Sequence, residues 1–337
     1  ASKETFEELV KLHPEVADFS VALSKAMQAM GEEEEAINTL KESIKRYPEQ
    51  FAADIALSQL YGDRGQKGKA VTTIERAYKR PNGESLPVLK QYIRALAENG
   101  SVERFAKVLQ TYQELWQAEK GYGDGITMGF YASMVGLDEQ AVSIFEETIE
   151  AHPDKFDADM ELAKLFANQQ ELEAAKAVFD NALRRGAGDN INLLKSYTSL
   201  LFNAKDLQNG AKMLRSYRAL WNQQKKSALL LQPPLTVAEQ QQLKQPYGHG
   251  IGIAYYHTVL DQDQIAEQTL KGLIKYDPDQ YGADNELAGL QKRLGRNDDA
   301  RKTLANAYAR GGDKDTSTVV GYAGILRLFG ETEEALA

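Results

Sequence analysis

Cysteine is absent from all 337 residues of this chain. Without it the protein can form neither disulfide bonds nor the thiolate sites that hold zinc or iron–sulfur clusters. The absence also fits an exported bacterial protein better than a cytosolic one. The bacterial periplasm is therefore favoured over the cytoplasm.

The chain also lacks an excess of positive charge and a long apolar run. Lysine and arginine number 40 against 49 aspartate and glutamate residues, which leaves a formal net charge of −9. Binding to nucleic acid depends on basic surfaces that neutralise phosphates, so no nucleic-acid partner is expected. The longest apolar stretch, around 319–329, is interrupted by Arg327 and is too short to span a bilayer. We therefore predict no transmembrane segment.

Residues with catalytic or metal-binding potential are few. The sequence has four histidines, and no zinc-protease, nucleophile-elbow or phosphate-loop motif occurs in it. His13 and His152 each precede a proline at equivalent places in the sequence, which favours a structural role for both. The sequence predicts no enzyme, no cofactor and no metal site.

What the chain does contain is a duplication. Three stretches that each begin two residues after a proline share most of their residues, and they lie at 50–57, 155–162 and 280–287. The first two are 105 residues apart and the second two 125. Such likeness at so long a spacing indicates copies of one ancestral segment.

A shorter period of about 34 residues runs inside the long one. One position, usually alanine, marks it: Ala36, Ala70, Phe105, Ala141, Ala175, Gly210, Ala266, Ala300 and Ala335. Five residues before this marker stands a glycine in most copies, replaced by Gln170, Lys205 and Asp261 in three. We expect a left-handed backbone there, which ends one helix and lets the next begin. Thirteen and twelve residues before the marker, a large apolar residue is followed in most copies by a small one, which lets two helices pack closely.

This pattern resembles the tetratricopeptide repeat, a helix–turn–helix unit of about 34 residues. The resemblance covers essentially the whole chain and implies an all-α fold, a right-handed superhelical solenoid in which each repeat packs on its neighbours. The chain departs from the family pattern where Asp54, Asp159 and Asp284 replace an aromatic residue near the start of the first helix. Phe105 and Gly210 depart from it at the marker.

We expect a single solenoid over residues 1–337, with a half repeat at 1–15 and three triplets of repeats at 16–120, 121–245 and 246–337. Neither end shows a polar capping element, so the chain is interpreted as an excerpt of a longer array. Apolar faces exposed at such ends would favour end-to-end self-association.

An insertion occupies residues 226–245, at the end of the second triplet. Pro233 and Pro234 are expected to stop the preceding helix, because the residue before a proline avoids the helical conformation. Thr236 with Glu239 forms a capping box that predicts a short helix through Lys244. The insertion is expected to pack on the solenoid, with a partner contact as the alternative.

The triplets also resemble each other at their edges. The only two tryptophans, Trp116 and Trp221, close the first and second triplets within matching segments, and the two following triplets open alike at 122–126 and 247–251. Packing where one triplet meets the next is the favoured interpretation. The alternative is an aromatic platform for a ligand.

The family resemblance also implies where a ligand binds, because the first helices of such repeats line a concave groove. The candidate groove comprises positions about eleven residues before the marker together with their neighbours: Lys25, Lys90, Arg94, Phe130, Met134, Met160, Lys164, Asn168, Lys195, Phe202, Tyr255, Asn285, Lys292 and Arg327. Cations between aromatic and methionine side chains suit an extended, partly acidic peptide. The alternative is a solvated face without a ligand, since any helix surface carries lysine and arginine.

Two functions remain open. The favoured one is a protein–protein interaction scaffold that binds an extended peptide or a partner protein in its groove, in an export or secretion assembly of a bacterial envelope. The alternative is a regulatory or recruiting segment of a larger enzyme or of an outer-membrane export protein.

Overall fold

The computed structural model describes residues 3–13, 16–230 and 236–331, with the backbone alone for 237–243. Over these ranges the chain forms eighteen α-helices and two short 3-10 helices, and it forms no strand. The helices are α1 (Lys3–Leu12), α2 (Ala17–Ala29), α3 (Glu33–Arg46), α4 (Ala52–Asp63), α5 (Lys67–Tyr78), α6 (Leu86–Glu98), α7 (Val102–Glu119), α8 (Tyr122–Met134), α9 (Asp138–Ala151), α10 (Asp157–Asn168), α11 (Leu172–Arg184), α12 (Ile191–Asn203), α13 (Leu207–Ala228), α14 (Val237–Val259), α15 (Asp263–Tyr276), α16 (Gly282–Arg293), α17 (Asn297–Ala309) and α18 (Thr316–Leu328). The all-α repeat fold expected from the sequence is confirmed.

Two compact units divide the chain, residues 1–178 and 179–337. In the first unit α2 packs on α3, α4 on α5, α6 on α7 and α8 on α9, and α2, α4, α6, α8 and α10 also contact one another in chain order. In the second unit α12 pairs with α13, α14 with α15 and α16 with α17, while α14, α16 and α18 are neighbours. The boundary falls within α11, inside the second predicted triplet, and the triplet division stays a prediction.

The marker position lies in the core of each helix pair. Ala36, Phe105, Ala141, Ala266 and Ala300 are completely buried, which leaves room there only for the packing partner. The ninth marker, Ala335, lies outside the described residues. No described helix is both long enough and apolar enough to cross a membrane.

The turn before the marker is left-handed in all nine copies. Its glycines have φ between 70° and 81°, at Gly31, Gly65, Gly100, Gly136, Gly295 and Gly330. Gln170, Lys205 and Asp261 take φ of 65°, 59° and 56° at the same position. The predicted turn geometry is therefore confirmed, including where the residue is not glycine.

Asp54 and Asp284, which stand where the family has an aromatic residue, form buried ion pairs. The Nη2 atom of Arg80 donates to Oδ2 of Asp54, and that of Arg310 donates to Oδ2 of Asp284 at 2.8 Å. Burial raises the pKa of both carboxyls, and the arginines act in the opposite direction. An arginine 26 residues after the aspartate is the signal in the sequence that identifies these pairs.

The two tryptophans lie where one predicted triplet meets the next. Nε1 of Trp116 donates to the carbonyl oxygen of Gly121 at 2.9 Å, and Nε1 of Trp221 donates to that of Pro246 at 2.6 Å. Their side chains are 0% and 3% exposed, so neither can serve as a platform for a ligand. The packing interpretation is confirmed.

We call each contact between a tryptophan and the segment that follows it, Trp116 with Gly121 and Trp221 with Pro246, a seam. Each seam has a buried tyrosine beside its tryptophan. The hydroxyl of Tyr112 donates to Oδ1 of Asp124 at 2.7 Å, and the hydroxyl of Tyr217 lies 2.7 Å from Nδ1 of His249. Asp124 and His249 occupy the same place in the two opening segments. The two seams therefore have the same arrangement of tryptophan and tyrosine, and they differ in the partner of the tyrosine hydroxyl, which is Asp124 in one and His249 in the other.

The first residue of each opening segment also holds the following repeat. The hydroxyl of Tyr122 accepts the backbone N–H of Asp157 at 2.7 Å, and that of Tyr247 accepts the N–H of Ala283 at 2.7 Å. Both N–H groups lie in the first turn of a helix, where no intrahelical partner exists. A side chain from one repeat thus completes the helix start of the next.

The predicted helix from Thr236 through Lys244 is wrong at its end. Helix α14 continues through Pro246 to Val259. A proline removes one intrahelical hydrogen bond, and from the sequence alone it predicts a break. The structure retains the helix because Pro246 and Tyr247 are buried and Trp221 bonds the Pro246 carbonyl. Pro233 and Pro234 lie outside the described residues.

Candidate functional site

The first helices of the first unit present one side chain each at the position eleven residues before the marker. These are Lys25 on α2, Gln59 on α4, Arg94 on α6, Phe130 on α8 and Lys164 on α10. Lys25, Phe130 and Lys164 are exposed and the other two are half-buried. We call this the first-helix surface of the first unit.

A cavity of about 510 Å³ opens on this surface between α4, α6 and α8. We call it the central pocket. Its apolar walls are Ile55, Pro87, Ile126, Phe130 and Tyr131, and its polar groups include Gln59, Lys90 and Arg94. Ile55, Lys90 and Ile126 precede Gln59, Arg94 and Phe130 by four residues, the spacing of one helix face. The isoleucines were missed as site residues, although this spacing identifies them.

A second cavity of about 260 Å³ adjoins the first between α8, α9 and α10. We call it the Met134 pocket, and its lining includes Met134, Phe145, Lys164, Leu165 and Asn168. Phe130 lines both cavities, with 41% of its surface exposed. An exposed aromatic wall between two pockets is the main feature of this surface.

Two glycines set the position of Phe130. A Cβ on Gly129 would lie 2.5 Å from the Phe145 ring, and one on Gly125 would lie 2.1 Å from Oγ1 of Thr148. Both distances are far below van der Waals contact, so α8 lies closer to α9 than any larger residue permits. This close approach places Phe130 at the boundary of the two pockets.

The cations of the central pocket already have carboxylate partners. Nζ of Lys90 lies 3.4 Å from Asp124, and Arg94 bonds Glu98 at 2.8 Å and Asp63 at 3.3 Å. The hydrogen bond to Glu98 raises the pKa of Arg94, which stays charged. Three carboxylates against two cations leave no surplus positive charge at the central pocket. Attraction of an acidic ligand is therefore weaker than the sequence suggests.

Phe202 is a correction to the candidate groove. It is 8% exposed and stacks on Tyr256, with the ring centroids 4.6 Å apart. Phe202 follows its helix's groove position by three residues, which turns its ring into the core of the second unit. It is not available to a ligand.

The other candidates lie apart from the two pockets. Met160 and Asn285 are half-buried, and Asn285 donates to Oγ1 of Thr318 at 3.2 Å. Tyr255 is exposed and lines a separate cavity of about 180 Å³ in the second unit. The remaining positions are exposed and line none of these three cavities: Lys25, Lys195, Lys292 and Arg327.

Comparison with known proteins gives two kinds of match. Family models described as tetratricopeptide repeat match residues 21–49 and 139–190. No curated protein sequence matches.

Several solved structures are similar. The APC/C hetero-tetramer Cut9–Hcn1 matches with 11% identity over 93% of this chain and a TM-score of 0.41, and this chain spans 56% of that one. YrrB, a TPR protein with an unusual peptide-binding site, matches with 16% identity over 61% of this chain and 100% of its own, with a TM-score of 0.41. The C-terminal part of a TPR repeat-containing protein from Cytophaga hutchinsonii matches with 14% identity over 79% of this chain and 98% of its own, with a TM-score of 0.48.

Proposed function

We propose that this chain, two segments of which match tetratricopeptide-repeat models, is a protein-interaction scaffold and binds an extended peptide segment of a partner across α4, α6, α8 and α10. The ligand lies over the central pocket and the Met134 pocket and crosses Phe130 between them. Arrays of this fold use such extended surfaces for binding.

The observation that supports this proposal best is the exposed ring of Phe130. An aromatic residue on a rigid helix loses little conformational entropy on binding and offers a large apolar contact. A cavity lies on each side of the ring, so a ligand with two apolar side chains fills both while its backbone crosses the ring. Phe130 is therefore the expected centre of the interface.

The polar groups around the ring determine the rest of the ligand's chemistry. Gln59 lines the central pocket and Asn168 the Met134 pocket, and both side chains can bond the backbone of an extended peptide. Lys164 lies 3.5 Å from Glu161, so this cation too has a partner. We expect apolar contact to supply most of the affinity, and therefore a weak dependence on salt.

The test starts from a random peptide library displayed against the intact chain. A synthetic peptide from the selection is titrated by calorimetry into the protein and into Phe130→Ala. Loss of a central aromatic contact costs about 2 kcal/mol or more, so we expect at least a tenfold weaker affinity.

Leu115→Ala is the matched control. Leu115 is 38% exposed, close to the 41% of Phe130, but it lies on α7 in the layer of second helices. Its removal should leave the affinity unchanged. Equal binding by wild type and Phe130→Ala would exclude this surface.

The cellular setting is a separate proposal. An export or secretion assembly of a bacterial envelope is proposed from analogy at the level of the fold, and a recruiting role beside an enzyme or an outer-membrane domain is the alternative. Cross-linking in the native cell through a photoreactive residue at position 130 distinguishes them. Adducts with envelope export components support the first, and adducts with a cytosolic enzyme exclude it.

A further inference from the structure

A third cavity of the first unit lies between α3, α4 and α5 and has a volume of about 480 Å³. We call it the α3–α5 pocket. Lys41, Arg76 and Arg80 line it together with the apolar side chains of Ile44, Leu57 and Tyr61. Helix α4 presents Leu57 and Tyr61 here and Ile55 and Gln59 to the central pocket, so the two cavities lie on opposite faces of that helix.

The α3–α5 pocket holds more positive charge than its own acid neutralises. Asp54 is its buried carboxylate and is bonded to Arg80. Lys41 and Arg76 form no ion pair with any residue that the structure describes. Nε of Arg80 is buried without a hydrogen-bond partner. Three cations against one carboxylate form a positive site in a chain whose net charge is −9.

The third triplet contains a second copy of the residues that form this pocket, 230 positions further along the chain. We call these corresponding positions the pocket frame. Lys41, Asp54, Thr73 and Arg80 correspond there to Lys271, Asp284, Thr303 and Arg310. The ion pair of the aspartate with the arginine occurs in both copies, so that pair belongs to the fold. The two copies differ in the residues around that pair.

In the third triplet the remaining polar groups are satisfied within the protein. Nζ of Lys271 lies 2.8 Å from Glu267, and Oγ1 of Thr303 donates to Gln291 at 2.9 Å. The first triplet has Ile37 in place of Glu267 and Tyr61 in place of Gln291.

The first copy has lost these partners and gained charge. Its lysine forms no ion pair with a described residue and acts only through its charge on Glu34, whose pKa it helps to lower. The structure gives no hydrogen bond for the hydroxyl of Thr73. Arg76 stands where the third triplet has Asn306. In the third triplet the polar groups of the pocket frame therefore bond to each other. In the first triplet Lys41 and Arg76 form no ion pair with a described residue and face a cavity with apolar walls.

We propose that the α3–α5 pocket binds a small organic anion, a carboxylate or a phosphate monoester on an apolar body. Arg76 and Lys41 hold the anionic group, since guanidinium and ammonium donors form strong bonds to both kinds of oxyanion. Leu57 and Tyr61 contact the apolar body, and the hydroxyl of Thr73 supplies a further donor. This site is independent of peptide binding on the first-helix surface.

The test uses benzoate, phenyl phosphate and inorganic phosphate as probes of the intact chain. Calorimetry should show tighter binding of the two aromatic anions than of inorganic phosphate, because only they contact the apolar wall. Whichever of the two binds more tightly identifies the anionic group. Arg76→Asn, which installs the residue of the third triplet, should weaken that binding about tenfold.

Lys67→Asn is the control, because it also removes one positive charge from α5, at an exposed residue outside the pocket. It should change the affinity less than twofold. Arg76 is exposed and unpaired, so unchanged circular dichroism is expected for Arg76→Asn. The proposal is overturned if no probe binds at millimolar concentration. It is also overturned if Arg76→Asn and Lys67→Asn bind alike.

Discussion

At the scale of single residues, three of the nine left-handed turns before the marker have no glycine. A side chain at positive φ brings Cβ close to its own carbonyl, which costs about 1 kcal/mol. Gln170 has φ of 65° and is therefore strained by about this amount, at a position where most other copies have glycine. The surrounding helices must hold the residue in this conformation.

We predict that Gln170→Gly raises the free energy of unfolding by about 0.5–1 kcal/mol, because glycine relieves the strain. Gln169→Gly is the control, since Gln169 has φ of −81° and gains nothing from glycine. That change should lower the free energy by a similar amount through backbone entropy. Urea denaturation measures both, and equal losses would contradict the strain.

His249 makes the second unit sensitive to acid. Burial lowers its pKa from the ordinary value of 6.5, and the charge of Lys195 acts in the same direction. Burial also lowers the pKa of His257, and Arg218 adds to the effect while the bond to Gln262 opposes it. The fold therefore favours neutral rings in both places.

The sign follows from proton linkage. Below pH 6.5 an unfolded histidine binds a proton more readily than either buried ring, so acid favours unfolding. The free energy of unfolding of the second unit should have its full value above pH 6.5 and decrease as the pH drops through the lowered pKa values of the two histidines. Hydrogen exchange of α14 amides between pH 7.5 and about 5 measures this. His249→Asn with His257→Tyr should flatten the dependence, and an unchanged slope would contradict it.

At the scale of helices, the contact between α8 and α9 depends on glycine. We predict that Gly129→Ala lowers the free energy of unfolding by about 1–3 kcal/mol, because the new methyl group overlaps the buried Phe145 ring. Gly123→Ala is the control in the same helix. No atom lies within 4 Å of its Cβ, so alanine should stabilise by about 0.5–1 kcal/mol. A lower free energy of unfolding in both variants would mean that alanine disturbs α8 itself rather than its contact with Phe145.

How far the sequence predicts a helix depends on where its partners lie. The marker, the left-handed turn and the pairing of helices follow from local periodicity, and they agree with the structure. The end of α14 was not predicted, because the residues that stabilise Pro246 come from another helix, 25 residues before it. Local pattern does not contain such tertiary contacts.

The candidate site shows the same limit. Phe130 and Met134 were placed on the surface from their position alone, as observed. The charge balance was not predicted, because Lys90 meets a carboxylate 34 residues away and Arg94 meets one 31 residues away. The orientation of Phe202 depends on its stacking with Tyr256.

At the scale of the whole molecule, the seams behave as matched joints. The end of one triplet supplies Trp116 and Tyr112, and the start of the next supplies their acceptors, Gly121 and Asp124. Trp221 and Tyr217 repeat this arrangement with Pro246 and His249. We therefore expect either end to fit either start.

We predict that deleting residues 122–246 leaves a folded protein. The cut joins Gly121 to Tyr247, so Trp116 keeps its carbonyl acceptor and Tyr112 meets His249. Deleting residues 105–229 removes the same length but destroys α7 and its seam, and that protein should not fold. Circular dichroism and the cooperativity of urea unfolding distinguish the two. Equal behaviour would contradict the role of the seams.

The seams have a consequence for how such a chain changes its length over generations. Unequal recombination between two triplets produces one longer and one shorter chain. In both chains every seam still joins the end of one triplet to the start of another, so neither chain needs new contacts at its junctions. The number of triplets is then free to drift within a lineage while each joint stays intact. Relatives of this protein should accordingly differ in length by about 105 or 125 residues, the separations of its own internal copies, rather than by single repeats.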